Sequence, residues 1–209
     1  MSESTVPAAD RLLELIVVLL LGITTVGTAW CGFQAARWNG ASADLAGVAS
    51  ERRVEGSRLF GLATQRVTYD SMVLAKYAEA SQQGNAQLVQ FYRRSVVRPD
   101  FLPFLDRWEA AARAGEPTVG VFEDKDYLAG QFGAYEETVA AAEQSTKESQ
   151  TAGAVAEGYI ATTILLAIGL FFAGVTSSFK YRLARVLLLI AATGSVAIAA
   201  ARIADLPIM

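Results

Sequence analysis

The chain has 209 residues, of which 53% are hydrophobic and 19% charged, with a formal net charge of −3. About a quarter of the residues of a typical soluble domain are charged, and the apolar residues of this chain are concentrated in uncharged stretches, which disfavours a soluble enzyme. The high apolar content also disfavours a disordered chain. The sequence has no histidine, which excludes Ser-His and Cys-His nucleophile pairs. Its acidic balance provides no basic surface of the kind that binds nucleic acid.

The first apolar stretch, residues 12–33, predicts a transmembrane helix after a short tail at 1–11. About 20 helical residues cover the roughly 30 Å hydrocarbon core of a bilayer. A cleaved signal peptide is the alternative, and the small residues around Gly27 leave it open. Only Arg11 precedes the stretch as a basic residue, and the stretch is longer than a typical signal core, which favours an uncleaved anchor.

Two further apolar stretches, residues 157–179 and 183–203, predict the second and third transmembrane helices. Because the link at 180–182 is very short, these helices are expected to form an antiparallel hairpin.

Orientation follows from Lys180, Arg182 and Arg185, since basic residues in short loops favour the cytoplasmic side. The link and the N-terminus are therefore predicted to be cytoplasmic, and residues 34–156 and 204–209 extracytoplasmic. Arginines soon after the first span argue the other way, but long loops are translocated largely regardless of charge.

Aromatic residues stand where the predicted spans meet the bilayer surface, namely Trp30, Trp38, Tyr159 and Tyr181. Indole and phenol rings favour this interface because one end of the ring is apolar and the other is hydrated. Trp30, Gln34 and Trp38 recur every four residues and share a helix face. The preferred interpretation is a membrane anchor, and the alternative is a specific contact with a lipid headgroup or a partner.

The inserted segment is rich in residues that favour helices. A long helix is predicted over 41–80, nearly continuous with the first span, with a possible kink at Asn39-Gly40 and a turn over 81–85. Pro99 and Pro103 predict a break, followed by an amphipathic helix over 101–111.

A glycine- and proline-containing loop is predicted over 114–126. The next helix carries a coiled-coil-like seam and is expected to run into the second span; the seam residues are Leu128, Phe132, Tyr135, Val139 and Ala142. Small residues at 34–50 and 143–153 predict two closely approaching helices, with residues 88–135 forming a packed head.

The acidic stretch at 123–126, with the sequence EDKD, has two interpretations. Several oxygen ligands could hold Ca²⁺, but the spacing lacks the order of a helix–loop–helix calcium site. A solvated loop in which Asp124 or Asp126 caps the following helix is preferred. No metal ligand, catalytic residue or cofactor is therefore assigned.

Polar residues in the spans define a candidate path for ions, comprising Glu14, Thr24, Thr25 and Thr28. Acidic residues within a membrane are functional candidates by default. Glu14 is only one turn from the expected interface and three residues from Arg11, so an interfacial position is preferred.

Small residues four apart allow membrane helices to approach closely. The candidates for helix packing are Gly169, Ala173, Ala191, Ser195, Ala197 and Ala201. Packing within the three-helix unit is one interpretation. Because three helices shield little of one another, self-association or a membrane-protein partner is expected in addition.

Three stretches carry a resemblance: TAWCGFQAARW (28–38), FYRRSVVRPDFLPFLDRW (91–108) and ATTILLAIGLFFAGVTSSFK (161–180). They resemble a family of uncharacterised bacterial membrane proteins with the patterns ATAW-x-GYQA-x-RW, FY-x-RR…RP-x-F…W and LFFAG. This chain has Cys-Gly-Phe where the family pattern has Ser-Gly-Tyr, and a shorter loop after Trp108. The resemblance implies three spans and a bacterial source, and it implies no activity.

The sequence therefore predicts an all-α protein of a bacterial inner membrane, with three transmembrane helices and an inserted extramembrane helical hairpin or bundle. The expected function is that of a non-enzymatic scaffold, sensor or accessory subunit. The alternative is a homo-oligomeric ion channel or transporter component, against which no span has a central charge or a filter-like motif.

Overall fold

The computed structural model describes residues 8–179 and 181–209, and it is 88% helical, with no strand in the described ranges. The predicted all-helical class is confirmed. The helices are α1 (Ala8–Gln82), α2 (Ala86–Phe91), a π-helical turn (Tyr92–Val96), a 3₁₀ turn (Pro99–Phe101), α3 (Leu102–Ala114), α4 (Lys125–Thr176) and α5 (Arg182–Asp205).

Three of these helices, α1, α4 and α5, are long and apolar enough to cross a membrane. They contain 75, 52 and 24 residues, whereas about 20 suffice for one crossing. α1 and α4 thus extend far beyond the length of their predicted spans. The prediction that the 128–142 seam and the second span share one helix is confirmed by α4.

α1 passes through Asn39 and Gly40 without interruption, so these two residues do not end the helix. It ends at a turn in which Gly84 has a φ of +68°, a conformation that glycine adopts without steric cost. The Asn85 side chain then accepts a hydrogen bond of 3.1 Å from the Leu88 amide and caps α2.

The predicted proline break lies between α2 and α3. The Val97 amide donates to the Tyr92 carbonyl over 2.9 Å, which closes the π-helical turn. Arg98 is extended, as the residue before a proline tends to be, and Pro99 starts the 3₁₀ turn. α3 ends at Gly115, whose φ is +73°.

The chain divides into two compact units. We call residues 48–144 the central unit. The described residues up to Gly47, together with those from Ser145 on, form the terminal unit.

The central unit has an aromatic core built from α1, α3, α4 and the segments between them. Its buried members are Val67, Val73, Leu74, Tyr77, Val97, Phe101, Phe104, Leu105, Val121 and Tyr127. The Phe101 and Phe104 rings stack with centroids 4.9 Å apart, and the Tyr127 ring meets Phe101 edge-on at 5.5 Å.

The seam of α4 packs against α1 within the central unit. The Tyr135 ring lies 5.2 Å from the Phe60 ring. A Cβ placed on Gly56 would lie 3.4 Å from Val139 Cγ2, so glycine allows the two helices to approach closely here.

The terminal unit packs through small and hydroxyl side chains. Ser42 Oγ donates to the Ser149 carbonyl over 2.9 Å, and Ser149 Oγ donates to the Ser42 carbonyl over 2.8 Å. Between α5 and α4, Ser195 Oγ donates to the Leu165 carbonyl over 2.6 Å. Hydrogen bonds of this kind are a recognised means of joining apolar helices.

Gly169 lies where α4 meets α5 and α1. A Cβ placed there would come within 2.9 Å of Val196 Cγ2 and 3.6 Å of Thr24 Cγ2. We expect Gly169→Ala to lower the free energy of unfolding by about 1–3 kcal/mol, because a β-branched neighbour yields poorly to an added methyl group. Thermal unfolding in detergent measures this effect.

Gly174 provides the matched control for that substitution. It lies in the same helix, and an added Cβ would have no neighbour within 4 Å. Gly174→Ala should leave the unfolding midpoint unchanged or raise it, since alanine favours helix. Equal effects at the two glycines would contradict the assigned packing.

Candidate functional site

The central unit contains a buried carboxylate, Asp70, with no exposed surface. Its two oxygens accept hydrogen bonds from Arg98 Nε at 3.2 Å and Nη2 at 3.1 Å. The Tyr127 hydroxyl donates to Asp70 over 2.6 Å, and Arg98 also donates to Gln131 Oε1 over 3.3 Å. This cluster joins α1, the extended residue 98 and α4.

A second polar cluster joins α1 to α3. Glu109 accepts hydrogen bonds from the Tyr77 hydroxyl and, over 2.8 Å, from Arg93 Nη1. Arg93 also pairs with Asp106. The arginine of the π-helical turn is thereby shared between two carboxylates of α3, which fixes the turn against that helix.

A shallow cleft of about 180 Å³ lies beside Tyr127. Asp100, Asp126 and Gln131 line it with polar atoms, together with Arg107. The Arg107 guanidinium is paired with Asp124 over 2.7 Å. Two carboxylate side chains, Asp100 and Asp126, thus line the cleft beside a paired arginine.

Asp124 caps α4, as one of the two interpretations of the acidic loop predicted. Its Oδ1 accepts a hydrogen bond of 2.8 Å from the Tyr127 amide. Burial opposes ionisation of Asp124, but this amide bond and Arg107 outweigh burial and lower the pKa of the carboxyl. Among the residues that the structure describes, no group of three or more acidic or cysteine side chains is arranged to hold a metal ion.

Within the terminal unit, the main chain of residues 207–209 is hydrogen-bonded to side chains of α1 and α4. Gln34 Nε2 donates to the Met209 carbonyl over 3.3 Å, and the Met209 amide donates to Gln34 Oε1 over 3.1 Å. The Pro207 carbonyl accepts from Trp38 Nε1 at 3.1 Å and from the Tyr159 hydroxyl at 3.2 Å.

The predicted interface aromatics have different surroundings. Trp38 and Tyr159 hold the Pro207 carbonyl, whereas Trp30 is exposed and its ring lies 6.1 Å from that of Phe33. Tyr181 is largely exposed. Their role as membrane anchors stays a prediction.

The hydroxyls of Thr24 and Thr25, two members of the candidate polar path, are hydrogen-bonded to their own helix. Thr24 is buried and donates to the Leu20 carbonyl over 2.6 Å, and Thr25 donates to the Leu21 carbonyl over 2.7 Å. Thr28 is half-buried and Glu14 is exposed. The contacts given for Thr24 and Thr25 are those of helix-supported hydroxyls.

The candidate packing residues fall into two groups. Gly169 and Ala173 are buried, and Ser195 bonds across to α4. Ala191, Ala197 and Ala201 are exposed in the single chain. Packing through these alanines would require a second chain.

The basic residues used to predict orientation lie at the start of α5. Arg182 is its first residue and is exposed, while the Arg185 amide donates to the Tyr181 carbonyl over 3.2 Å. Lys180 lies outside the described residues, as does the greater part of the predicted 1–11 tail.

The loop between α3 and α4 presents apolar side chains to solvent. Phe122 is 64% exposed and Val119 is 46% exposed, while Val121 between them is buried in the core. Val121 therefore holds the loop against the core, while Val119 and Phe122 stay at the surface.

Sequence reasoning did not find the Asp70 cluster or the partners of Gln34. Asp70 had a detectable signal, since it interrupts the buried α1 stripe of Ala63, Val67, Leu74 and Tyr77 at helical spacing. A charge within such a stripe needs a buried partner. Gln34 gave no comparable signal, because its partners are main-chain atoms distant in sequence.

We expect the protein to lose stability at high pH because two of its buried side chains are tyrosines, Tyr77 and Tyr127. Burial first, and then the hydrogen bond to Glu109, raises the pKa of Tyr77 to about 12, and burial and Asp70 likewise raise the pKa of Tyr127. The unfolded chain releases these protons near pH 10. The stabilisation is therefore complete below about pH 10 and is lost as the pH rises toward 12.

Thermal unfolding between pH 8 and 12 measures this effect. Tyr77→Phe should flatten the decline between pH 10 and 12, since phenylalanine has no proton to lose. A decline of the same steepness in both proteins would show that Tyr77 does not contribute.

No protein-family model matches the chain, and neither a curated protein nor a solved structure matches it.

Proposed function

We propose that the chain is a bacterial inner-membrane protein with three transmembrane helices and a cytoplasmic N-terminus, and that its central unit lies outside the cytoplasm as a non-enzymatic interaction module. In this proposal the protein is a scaffold, sensor or accessory subunit whose loop between α3 and α4 contacts a membrane-protein partner. Self-association through α5 would complete the assembly.

The observation that carries the proposal is that buried and half-buried charges of the central unit are paired with one another within the unit. Asp70 is bound by Arg98 and Tyr127, and Glu109 by Arg93 and Tyr77. Satisfied polar clusters of this kind make the core of the unit rigid and specific. Phe122 and Val119 are exposed in the loop between α3 and α4, where burial in an apolar contact would be favourable.

Topology is tested by cysteine labelling in intact cells. Gly120→Cys places a thiol in the loop of the central unit, and Ser178→Cys places one in the exposed link before α5. We expect an impermeant maleimide to label position 120 directly and position 178 only after permeabilisation. Native Cys31 is fully buried and should add little background. The reverse pattern would contradict the orientation.

The interaction is tested by affinity purification in mild detergent at native expression, with mass measurement of the complex. We expect a membrane protein at fixed stoichiometry, lost on replacing Val119 and Phe122 together by aspartate. Val54→Asp is the matched control, because Val54 is 69% exposed elsewhere in the central unit. A complex that survives the loop variant would contradict the assigned surface.

The channel alternative has its own decisive measurement. Ion flux into liposomes that contain only this protein, abolished by Thr25→Leu and Thr28→Leu, would overturn the non-enzymatic interaction module in favour of a conducting path. The hydroxyl contacts within α1 do not favour that outcome.

A further inference from the structure

α5 ends at Asp205, and the following residues leave the helix. Leu206 is extended, with a φ of −86° and a ψ of 136°, and residues 207–209 adopt no regular structure. This segment lies against α1 and α4 of the terminal unit. We call it the tail (206–209).

The side chains of α1 and α4 form hydrogen bonds with the main chain of the tail. Gln34 uses both ends of its amide on Met209, while Trp38 and Tyr159 converge on one carbonyl, that of Pro207. The Arg37 Nη1 atom lies 3.3 Å from the Met209 main-chain oxygen. Contacts to the main chain do not depend on which side chains the bound segment carries.

Two of the residues that make these contacts, Gln34 and Tyr159, have no exposed surface with the tail in place. Removing the tail takes away the partners of both polar atoms of the Gln34 amide, so a main chain that replaced the tail would regain two hydrogen bonds. The surface is therefore shaped to hold a main chain.

One side chain of the tail is also recognised. Leu206 packs with Cys31, Ala35 and Ala199 and lies against Gly158. A Cβ on Gly158 would come within 2.9 Å of Leu206 Cδ2, so the absence of a side chain at position 158 creates the space for leucine. Ile208, in contrast, is 67% exposed.

We propose that Gln34, Arg37, Trp38 and Tyr159 form a binding site for a short extended peptide with an apolar residue at the position of Leu206, and that the tail is its resident, exchangeable ligand. The site recognises the main chain by hydrogen bonds and the apolar side chain by the space above Gly158. Attachment to α5 gives the tail an effective concentration on the order of millimolar, so it excludes peptides of modest affinity from the intact chain.

The test uses the chain without residues 206–209, purified in detergent, and a fluorescent peptide of sequence DLPIM. We expect fluorescence anisotropy to show saturable binding at least tenfold tighter to the truncated chain than to the intact chain. A peptide with serine in place of the leucine should bind at least tenfold more weakly. A peptide with serine in place of the isoleucine should bind as well as the original.

A matched pair of variants assigns the site. In the truncated chain, Gln34→Leu should weaken binding at least tenfold, since it removes two hydrogen bonds of about 1 kcal/mol each. Asn39→Ala, an exposed position on α1 near Trp38, should leave the affinity unchanged. A folded truncated chain that binds no peptide, or binding insensitive to Gln34, would overturn the proposal.

A second measurement uses the full-length chain and covers the case in which truncation impairs folding. A spin label at Ile208→Cys, in a Cys31→Ala background, should show restricted motion that is released by Gln34→Leu and by excess DLPIM peptide. A label whose motion neither of these changes would equally overturn the proposal.

Discussion

Replacing Asp70 with alanine is expected to lower the free energy of unfolding by about 3–5 kcal/mol, because it leaves the Arg98 guanidinium without its buried partner. Arg98 binds Asp70 through two nitrogens, and the Tyr127 hydroxyl loses its acceptor in the same variant. Near-ultraviolet circular dichroism follows the loss, since Tyr127 lies among the core aromatics.

Two controls distinguish the effect of breaking a buried ion pair from the effect of removing any charged side chain. Glu55 pairs with Arg58 on the exposed surface of α1, so Glu55→Gln should leave the unfolding midpoint essentially unchanged. The double variant Asp70→Leu with Arg98→Met should be more stable than Asp70→Ala, because neither charge then remains unpaired. A double variant less stable than the single one would show that the pair itself stabilises the fold.

Replacing Phe101 with alanine is expected to lower the free energy of unfolding by about 3–5 kcal/mol through lost burial and the cavity left behind. Phe101 has no exposed surface, stacks on Phe104 and meets the edge of Tyr127. Chemical or thermal denaturation in detergent, monitored by aromatic signals, measures the change.

Phe122→Ala provides the matched control, since the same atoms are removed from a ring that is 64% exposed. We expect a change within about 0.5 kcal/mol for this surface position. Equal losses at the two phenylalanines would mean that the Phe101 cluster is not the stabilising core of the central unit.

The long helices were predictable from sequence because they depend on local properties. Apolar stretches of membrane length, the seam at 128–142 and the prolines near residue 100 each indicate structure without knowledge of distant contacts. The continuity of α1 through Asn39-Gly40 shows the limit of this reasoning, since glycine within a helix is tolerated at a cost of only about 1 kcal/mol.

The candidate sites were less predictable because their residues meet only in three dimensions. Trp38 and Gln34 were expected to face lipid or a partner, and both bind residues 207–209, far along the chain. These partners are main-chain groups, which every residue possesses. The residue types in the sequence therefore do not indicate which main-chain groups Trp38 and Gln34 will bind. Asp70 differs, because a carboxylate within an apolar stripe points to a buried cation.

The reciprocal hydrogen bonds between Ser42 and Ser149 have a consequence for how the sequence can evolve. Each hydroxyl donates to the other residue's carbonyl, and the two oxygens lie 3.2 Å apart. Losing one serine therefore removes one hydrogen bond and leaves the other in place, because both acceptors are main-chain atoms. Natural variants of this chain are therefore expected to tolerate alanine at either position on its own, and to exclude large side chains from both.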